Sequence, residues 1–116
     1  MAADRGGLTP VSSGAAFISG PVLETFEREV SATPAQFERD LRTAWPAGVE
    51  TVAPGHFRVQ DGTTRLDLRV ESRGVRRLGM FELPVIAVGY RFSGAGEPER
   101  ARLLRMLDHA MLRGGG

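Results

Sequence analysis

The sequence of 116 residues contains no cysteine and only two histidines, His56 and His109. Without cysteine the chain has no disulfide, no reactive thiolate and no cysteine-ligated metal site. The histidines do not stand at the spacing of a metal motif. We interpret both as solvated surface side chains, because no acidic residue neighbours His56 in the sequence and His109 points away from the adjacent Asp108 on a helix. We therefore expect no metal and no cofactor.

Lysine is also missing, so all fifteen basic residues are arginine. The interpretation that we favour for this bias is the codon usage of a GC-rich bacterial genome. The alternative is selection for the guanidinium group, which binds carboxylate or phosphate through two parallel hydrogen bonds. With 14 acidic residues the formal net charge is +1. Total charge therefore gives no reason to expect nucleic acid or an anionic membrane as partner.

No hydrophobic run approaches the roughly 20 residues of a membrane-spanning helix. The N-terminus carries Asp4 early and lacks the apolar core of a secretory signal, so we expect a cytoplasmic protein. Its single domain is predicted at residues 21–113. Residues 1–20 are predicted to be a disordered arm, with an apolar patch at 15–18, and residues 114–116 a flexible glycine tail.

Two segments alternate apolar and polar side chains, which is typical of strands with one buried and one solvated face. They are residues 63–71 and 85–92. Residues 76–83 are predicted to form a third strand between them. The outward face of the last strand carries small, weakly polar residues that we expect to be exposed, namely Val85, Ala87 and Gly89.

Turn-forming residues separate these strands. Asp61-Gly62 is the strongest hairpin signal and predicts a direct connection from a strand at residues 56–60. Arg73-Gly74 predicts the next reversal. Pro84 is expected at an edge, at a bulge or at the start of the last strand, because proline donates no ladder hydrogen bond.

Two amphipathic helices can cover the inward face of this sheet. The first is predicted to begin with a capping box in which Thr33 is the N-cap and Gln36 its partner, and the second spans residues 97–113. A strand at residues 22–30 precedes them. Its Arg28 falls on the apolar side, and we expect this side chain to reach water at an open end of the sheet.

The predicted fold class is therefore α+β. An antiparallel sheet of about four to six strands is packed on one face by a helix from the N-terminal half and a long C-terminal helix, in the order β-α-β-meander-α.

This order of elements resembles a small member of the helix-grip, or START-like, superfamily. The segments that carry the resemblance are the opening FEREVSATPAQFERDL, the predicted reversals at Asp61-Gly62 and Arg73-Gly74, and the terminal EPERARLLRMLDHAMLRGGG. The resemblance implies a curved sheet that wraps the C-terminal helix and can enclose an apolar ligand. A two-layer sandwich with a solid core is the competing architecture.

No catalytic motif is present, since the chain lacks a G-x-S-x-G elbow and a P-loop lysine. Our hypothesis is a non-enzymatic binding domain that holds a small apolar or amphipathic ligand between sheet and C-terminal helix. The candidate lining residues are Leu68, Val70, Val88, Tyr90, Leu104, Leu107 and Met111. The alternative is a protein-interaction or homodimerisation module without a ligand.

Arg73, Arg76 and Arg77 form the densest basic cluster of the sequence. We expect all three to be exposed. An exposed hairpin of this composition is a candidate patch for an anion or for the carboxylates of a partner. The alternative is a hairpin whose charges keep the protein soluble and protect a sheet edge.

Overall fold

The computed structural model describes residues 20–114, and the side chains of residues 20–112. The predicted N-terminal arm and its patch at 15–18 lie outside the described residues except for Gly20, as do residues 115 and 116 of the glycine tail. Gly114 is the last residue of the C-terminal helix.

The described chain has the predicted α+β architecture. In chain order its elements are β1 (Thr25–Val30), α1 (Pro34–Ala44), β2 (Glu50–Ala53), β3 (His56–Asp61), β4 (Thr64–Leu78), β5 (Phe81–Ser93) and α2 (Glu97–Gly114). The strands form one antiparallel sheet in the order β1-β5-β4-β3-β2. The antiparallel sheet with its two helices, one from the N-terminal half and one C-terminal, is therefore confirmed.

Helix α1 begins where its capping residues place it. The Thr33 backbone N–H donates to Gln36 Oε1 at 2.8 Å, and the Gln36 N–H donates to Thr33 Oγ1 at 3.1 Å. This reciprocal pair satisfies two backbone donors that a helix start leaves without partners. The helix then buries Phe37 and Leu41 against the sheet.

The core lies between the two helices and one face of the sheet. Strand register places Leu68 opposite Tyr90 on β5 and opposite Phe57 on β3, so that three neighbouring strands contribute to one apolar layer. Helix α2 adds Leu103 and Leu107 from the other side. We call the opposite face of the sheet, which carries the charged residues, the outer face.

The hairpin between β4 and β5 is longer than predicted. Residues 76–83 do not form a separate strand, because they contain the turn: Leu78 pairs with Phe81, and Gly79 and Met80 connect them. Gly79 has a φ of 61°, and two-residue hairpin turns require a positive φ at this position. The prediction of a third strand is therefore wrong.

Arg73-Gly74 is not a reversal, which corrects a second prediction. It lies in an irregularity of the β4–β5 ladder between Ser72 and Val75, where Gly74 adopts a φ of 87°. A bulge of this kind places an extra residue in one strand and bends it. Pro84 pairs with Val75 next to this irregularity. Of the positions expected for Pro84, the structure therefore shows the bulge, where a residue without an N–H is tolerated.

Candidate interaction surface

The ends of β4 and β5 project beyond the rest of the sheet. Strand β3 pairs with β4 only as far as Arg69, and β1 pairs with β5 only from Ile86 onward. Residues 72–85 thus form a two-stranded ribbon that pairs with no other described strand on either side. We call this ribbon the arm.

The end of the arm exposes large apolar side chains. Met80 is 98% exposed, Phe81 72%, Val75 60% and Leu78 53%. Eight large hydrophobic side chains are exposed among the described residues, and these four lie within seven positions of one hairpin. Scattered exposed hydrophobic residues are ordinary on a protein surface, whereas a cluster marks an interaction site.

Ion pairs tie the base of the arm to β1. Arg76 contacts Glu29 at 2.7 Å, and Arg73 approaches Glu27 at 3.7 Å. Both pairs join β4 to β1 across β5, which lies between these two strands. The long arginine side chains therefore pass over the outer face of β5.

These crossing side chains correct the expectation that the small residues of the last strand are exposed. Val85 is only 7% exposed and Ala87 only 2%, while Gly89 is half-buried. Because the ion pairs of Arg73 and Arg76 lie over this part of β5, the weakly polar stretch is not an exposed patch. The sequence could not show this cover, because it depends on which strands flank β5.

Arg73, Arg76 and Arg77 are all exposed. Each nevertheless lies within ion-pair distance of a carboxylate, and Arg77 contacts Glu82, its cross-strand neighbour, at 3.1 Å. Their positive charges are thereby largely offset within the chain. The hypothesis that these three arginines bind an anion stays a prediction, and the pairing weakens its physical basis.

The seven predicted ligand-lining residues all belong to the core cluster. Five are buried and two, Val70 and Met111, are partly buried at its margin. The buried members are Leu68, Val88, Tyr90, Leu104 and Leu107. The structure thus brings the set together between sheet and α2, as side chains that pack against one another. An enclosed apolar ligand stays a prediction.

One groove lies outside that core, between the end of α1 and the middle of α2. It has a volume of about 430 Å³, and Trp45, Met106 and Ala110 contribute apolar lining. Arg102 and Arg105 also line it. None of the seven predicted lining residues takes part in this groove.

Arg28 corrects a further expectation, because it does not reach water at an open end of the sheet. Its guanidinium group donates to both carboxylate oxygens of Asp108 on α2, at 2.9 and 3.1 Å, and to the Tyr90 hydroxyl at 2.7 Å. The guanidinium carbon also lies 4.6 Å from the centre of the Tyr90 ring, within cation–π range. This cluster joins β1, β5 and α2.

The cluster shifts the ionisation of its members. Burial disfavours the charged form of Arg28, yet Tyr90 and Asp108 outweigh it and raise the pKa of Arg28 above its ordinary value. Burial raises the pKa of Tyr90, and the charge of Arg28 opposes that rise. Both groups therefore keep their ordinary protonation states near neutral pH, and the cluster acts as a buried ion pair that positions α2 on the sheet.

His56 has an acidic partner that the sequence did not reveal. Its Nε2 lies 2.8 Å from Asp67 Oδ1 on the outer face, and Arg58 Nε donates to the same oxygen at 3.0 Å. Burial favours the neutral acid, but these hydrogen bonds outweigh it and hold the pKa of Asp67 below its ordinary value. The three residues come together because β3 pairs with β4, with Arg58 opposite Asp67.

Comparison with known proteins assigns no family. No family model matches the chain, and no curated protein sequence matches it significantly. Within residues 20–114, no group of three or more acidic or histidine side chains could hold a metal ion. The helices of this same part of the chain include none that is long and apolar enough to cross a membrane. Functional inference therefore rests on the surfaces described above.

Proposed function

We propose that this protein is a homodimerisation module in which the arm of one copy packs against the arm of a second copy. The observation that carries the proposal is the cluster of Val75, Leu78, Met80 and Phe81 at the end of a ribbon that pairs with no other described strand. A two-stranded ribbon is marginally stable alone in water. Contact with a partner removes the apolar end of the ribbon from solvent and supplies a second layer for it to pack against.

The composition and charge of the arm favour a protein partner. Aromatic residues, methionine and arginine are enriched at the centres of protein interfaces, and the arm supplies Phe81, Met80 and Arg77. Because Arg76 and Arg77 are each paired with a glutamate of the same chain, two arms meet without strong repulsion between like charges. In a symmetric dimer the apolar patch of one copy then covers the same patch of the other copy.

The size of the patch sets the expected affinity. The register places Leu78 and Phe81 on one face of the ribbon and Val75 on the other. So small a contact lies at the low end of specific interfaces, and we expect a weak dimer with a dissociation constant roughly in the micromolar range. Sedimentation velocity over a wide range of protein concentration measures it. The variant Met80→Ser/Phe81→Ser should shift the equilibrium to monomer by about tenfold or more.

A matched control removes exposed hydrophobic residues elsewhere. Leu23→Ser/Met106→Ser changes two exposed side chains outside the arm and should leave the dimer unchanged. A parent protein that stays monomeric at every concentration overturns the proposal, as does equal loss of dimer in both double variants. If the parent is monomeric, the partner that binds the arm must be a different protein.

The absence of cysteine allows a second, geometric test. Met80→Cys places a single thiol at the most exposed apolar position of the arm, so that a disulfide can form only between two copies. Mild oxidation should trap a covalent dimer far faster than with Leu23→Cys. Equal rates for the two variants would show random collision and contradict arm-to-arm contact.

A further inference from the structure

A group of arginines on the outer face is not explained by the arm or the core. Arg65 and Arg69 lie two residues before and after Asp67 on β4, and Arg91 of β5 lies directly opposite Asp67. Alternation along the strands turns all four side chains to the same side of the sheet. We call Arg65, Arg69 and Arg91 the arginine triad.

The triad differs from the arginines of the arm in having no acidic partner among the described residues. All three residues are exposed, and none of their side chains forms a hydrogen bond or an ion pair with a described residue. Asp67, the carboxylate at their centre, is already engaged by His56 and Arg58. Within residues 20–112, therefore, no acidic side chain neutralises the triad by direct pairing.

The surface around the triad carries a net positive charge. Arg58 adds a fourth guanidinium group, and it lies between Asp67 and the more distant Glu50, which it approaches at 3.7 Å. Four arginines thus face Asp67 and Glu50. Two further carboxylates of the outer face, Glu27 on β1 and Glu71 on β4, lie within ion-pair distance of Arg73, at 3.7 and 3.4 Å.

Gly89 adds no side chain to the surface beside these charges. It pairs with Arg69 in the middle of β5, and its φ lies outside the range that favours glycine. A Cβ atom there would find the Arg69 carbonyl oxygen at 3.9 Å, an ordinary contact. Glycine at this position is thus not required by backbone conformation or by packing, and its absent side chain leaves the backbone accessible beside Arg69 and Arg91.

We propose that the arginine triad binds an acidic polypeptide segment, whose carboxylates form paired hydrogen bonds with Arg65, Arg69 and Arg91. Planar guanidinium groups match carboxylates in this way. The triad spaces its charges for an extended chain, because Arg65 and Arg69 lie about 13 Å apart along β4 at 3.3 Å per residue. This site goes beyond the proposed dimer contact and does not depend on it.

A polypeptide fits the surface better than a nucleic acid does. Single-stranded nucleic acids bind where aromatic side chains stack on bases. The residues directly opposite the triad on neighbouring strands include no phenylalanine, tyrosine or tryptophan; they are Thr25, His56, Gln60, Asp67, Gly89 and Ser93. The net charge of the whole chain is only +1. A patch with so small an excess of positive charge gives little of the counterion release that drives nucleic-acid binding.

Fluorescence anisotropy with a labelled oligoglutamate peptide tests the proposal on the full-length protein. We expect saturable binding that weakens with added salt, and no binding of an oligoglutamine peptide of equal length. Arg65→Gln/Arg69→Gln/Arg91→Gln should weaken binding about tenfold or more. The control Arg39→Gln/Arg102→Gln/Arg105→Gln removes the same charge from exposed helix positions and should retain it.

Amide NMR spectra locate the peptide independently of any substitution. Addition of oligoglutamate should shift the signal of Gly89, and leave that of Gly48, which lies outside the strands, unchanged. Equal loss of affinity in both triple variants would show that net charge alone attracts the peptide, and it would overturn the proposal of a specific site. Absent binding, or tighter binding of a single-stranded oligonucleotide of equal charge, overturns it as well. Arm variants should bind the peptide normally, so this result is separable from the dimer.

Discussion

Removal of Asp108 should destabilise the fold more than any surface charge substitution. Asp108→Ala leaves the guanidinium group of Arg28 without its carboxylate partner, although the side chains of Arg28 and Asp108 are only 16% and 14% exposed. Loss of one member of a buried ion pair costs about 3–5 kcal/mol of unfolding free energy. Because this pair retains some contact with solvent, we expect a cost near the lower limit, about 3 kcal/mol.

A surface pair provides the comparison. Glu38 and Arg42 stand four residues apart on α1, and both side chains are 42% exposed. Glu38→Ala should cost about 0.3–0.5 kcal/mol, the usual value for an exposed helix pair. Arg42 keeps its hydrogen bonds to the Val49 carbonyl oxygen and the Thr51 hydroxyl in this variant, so no buried group is left without a partner.

Replacement of the whole cluster separates the buried charge from lost packing. In Arg28→Met/Asp108→Leu the unpaired charge disappears, and similar volumes refill the space. Tyr90 then loses the donor that reaches its hydroxyl at 2.7 Å, so Tyr90→Phe should be added to avoid a buried hydroxyl without a partner. We expect this triple variant to be at least about 1 kcal/mol more stable than Asp108→Ala.

Urea unfolding at neutral pH, followed by circular dichroism, gives these free energies. Thermal unfolding should show a decrease in Tm of roughly 4–8 °C for each kcal/mol lost. A cost for Asp108→Ala no larger than that for Glu38→Ala would refute our description of a buried pair. Triple-variant stability at or below that of Asp108→Ala would show that packing or specific hydrogen bonds dominate.

Two further predictions concern backbone and pH. Gly94→Ala should destabilise the protein by about 1 kcal/mol or more, because Gly94 has a φ of 74° and a Cβ would clash with the Thr63 carbonyl oxygen. The control Gly89→Ala should be tolerated, and urea unfolding measures both variants. Since the pKa of Asp67 is lowered from 3.8 in the folded state, its contribution to stability is present above that pH and is lost as the pH falls below it. The stability of the parent relative to Asp67→Asn should therefore decline on acidification below pH 3.8, and a difference that is constant with pH would contradict this.

Local signals predicted the parts of the fold that depend on neighbours in sequence. The capping box of Thr33 and Gln36 is such a signal, because both members lie within four residues. The alternation in β4 and β5 predicted which side chains enter the core for the same reason. Gly79 also carried a usable signal, since a two-residue turn between Leu78 and Phe81 is within the range of sequence patterns. The prediction of a reversal at Arg73-Gly74 did not take this turn at Gly79 into account.

The remaining contacts depend on strand order and helix placement, which no local pattern encodes. Arg28 and Asp108 are 80 residues apart, and their pairing requires α2 to pack on the sheet with Asp108 facing Arg28. Asp67 meets His56 only because β3 and β4 pair in the observed register. A residue that looks irregular in sequence, such as a charged side chain in an apolar pattern, thus indicates that a long-range partner exists but does not show which residue it is.

The two proposed binding surfaces lie on the same side of the sheet and act independently. Phe81 and Arg91 are both turned to the outer face of β5, and ten residues at about 3.3 Å each separate them by roughly 33 Å. This distance exceeds the Debye length of about 8 Å at physiological salt, so a charge change at the triad should not alter the apolar end of the arm. Because both helices cover the opposite face, occupation of either surface leaves the core intact. Dimerisation through the arm therefore presents two arginine triads without requiring the fold to change.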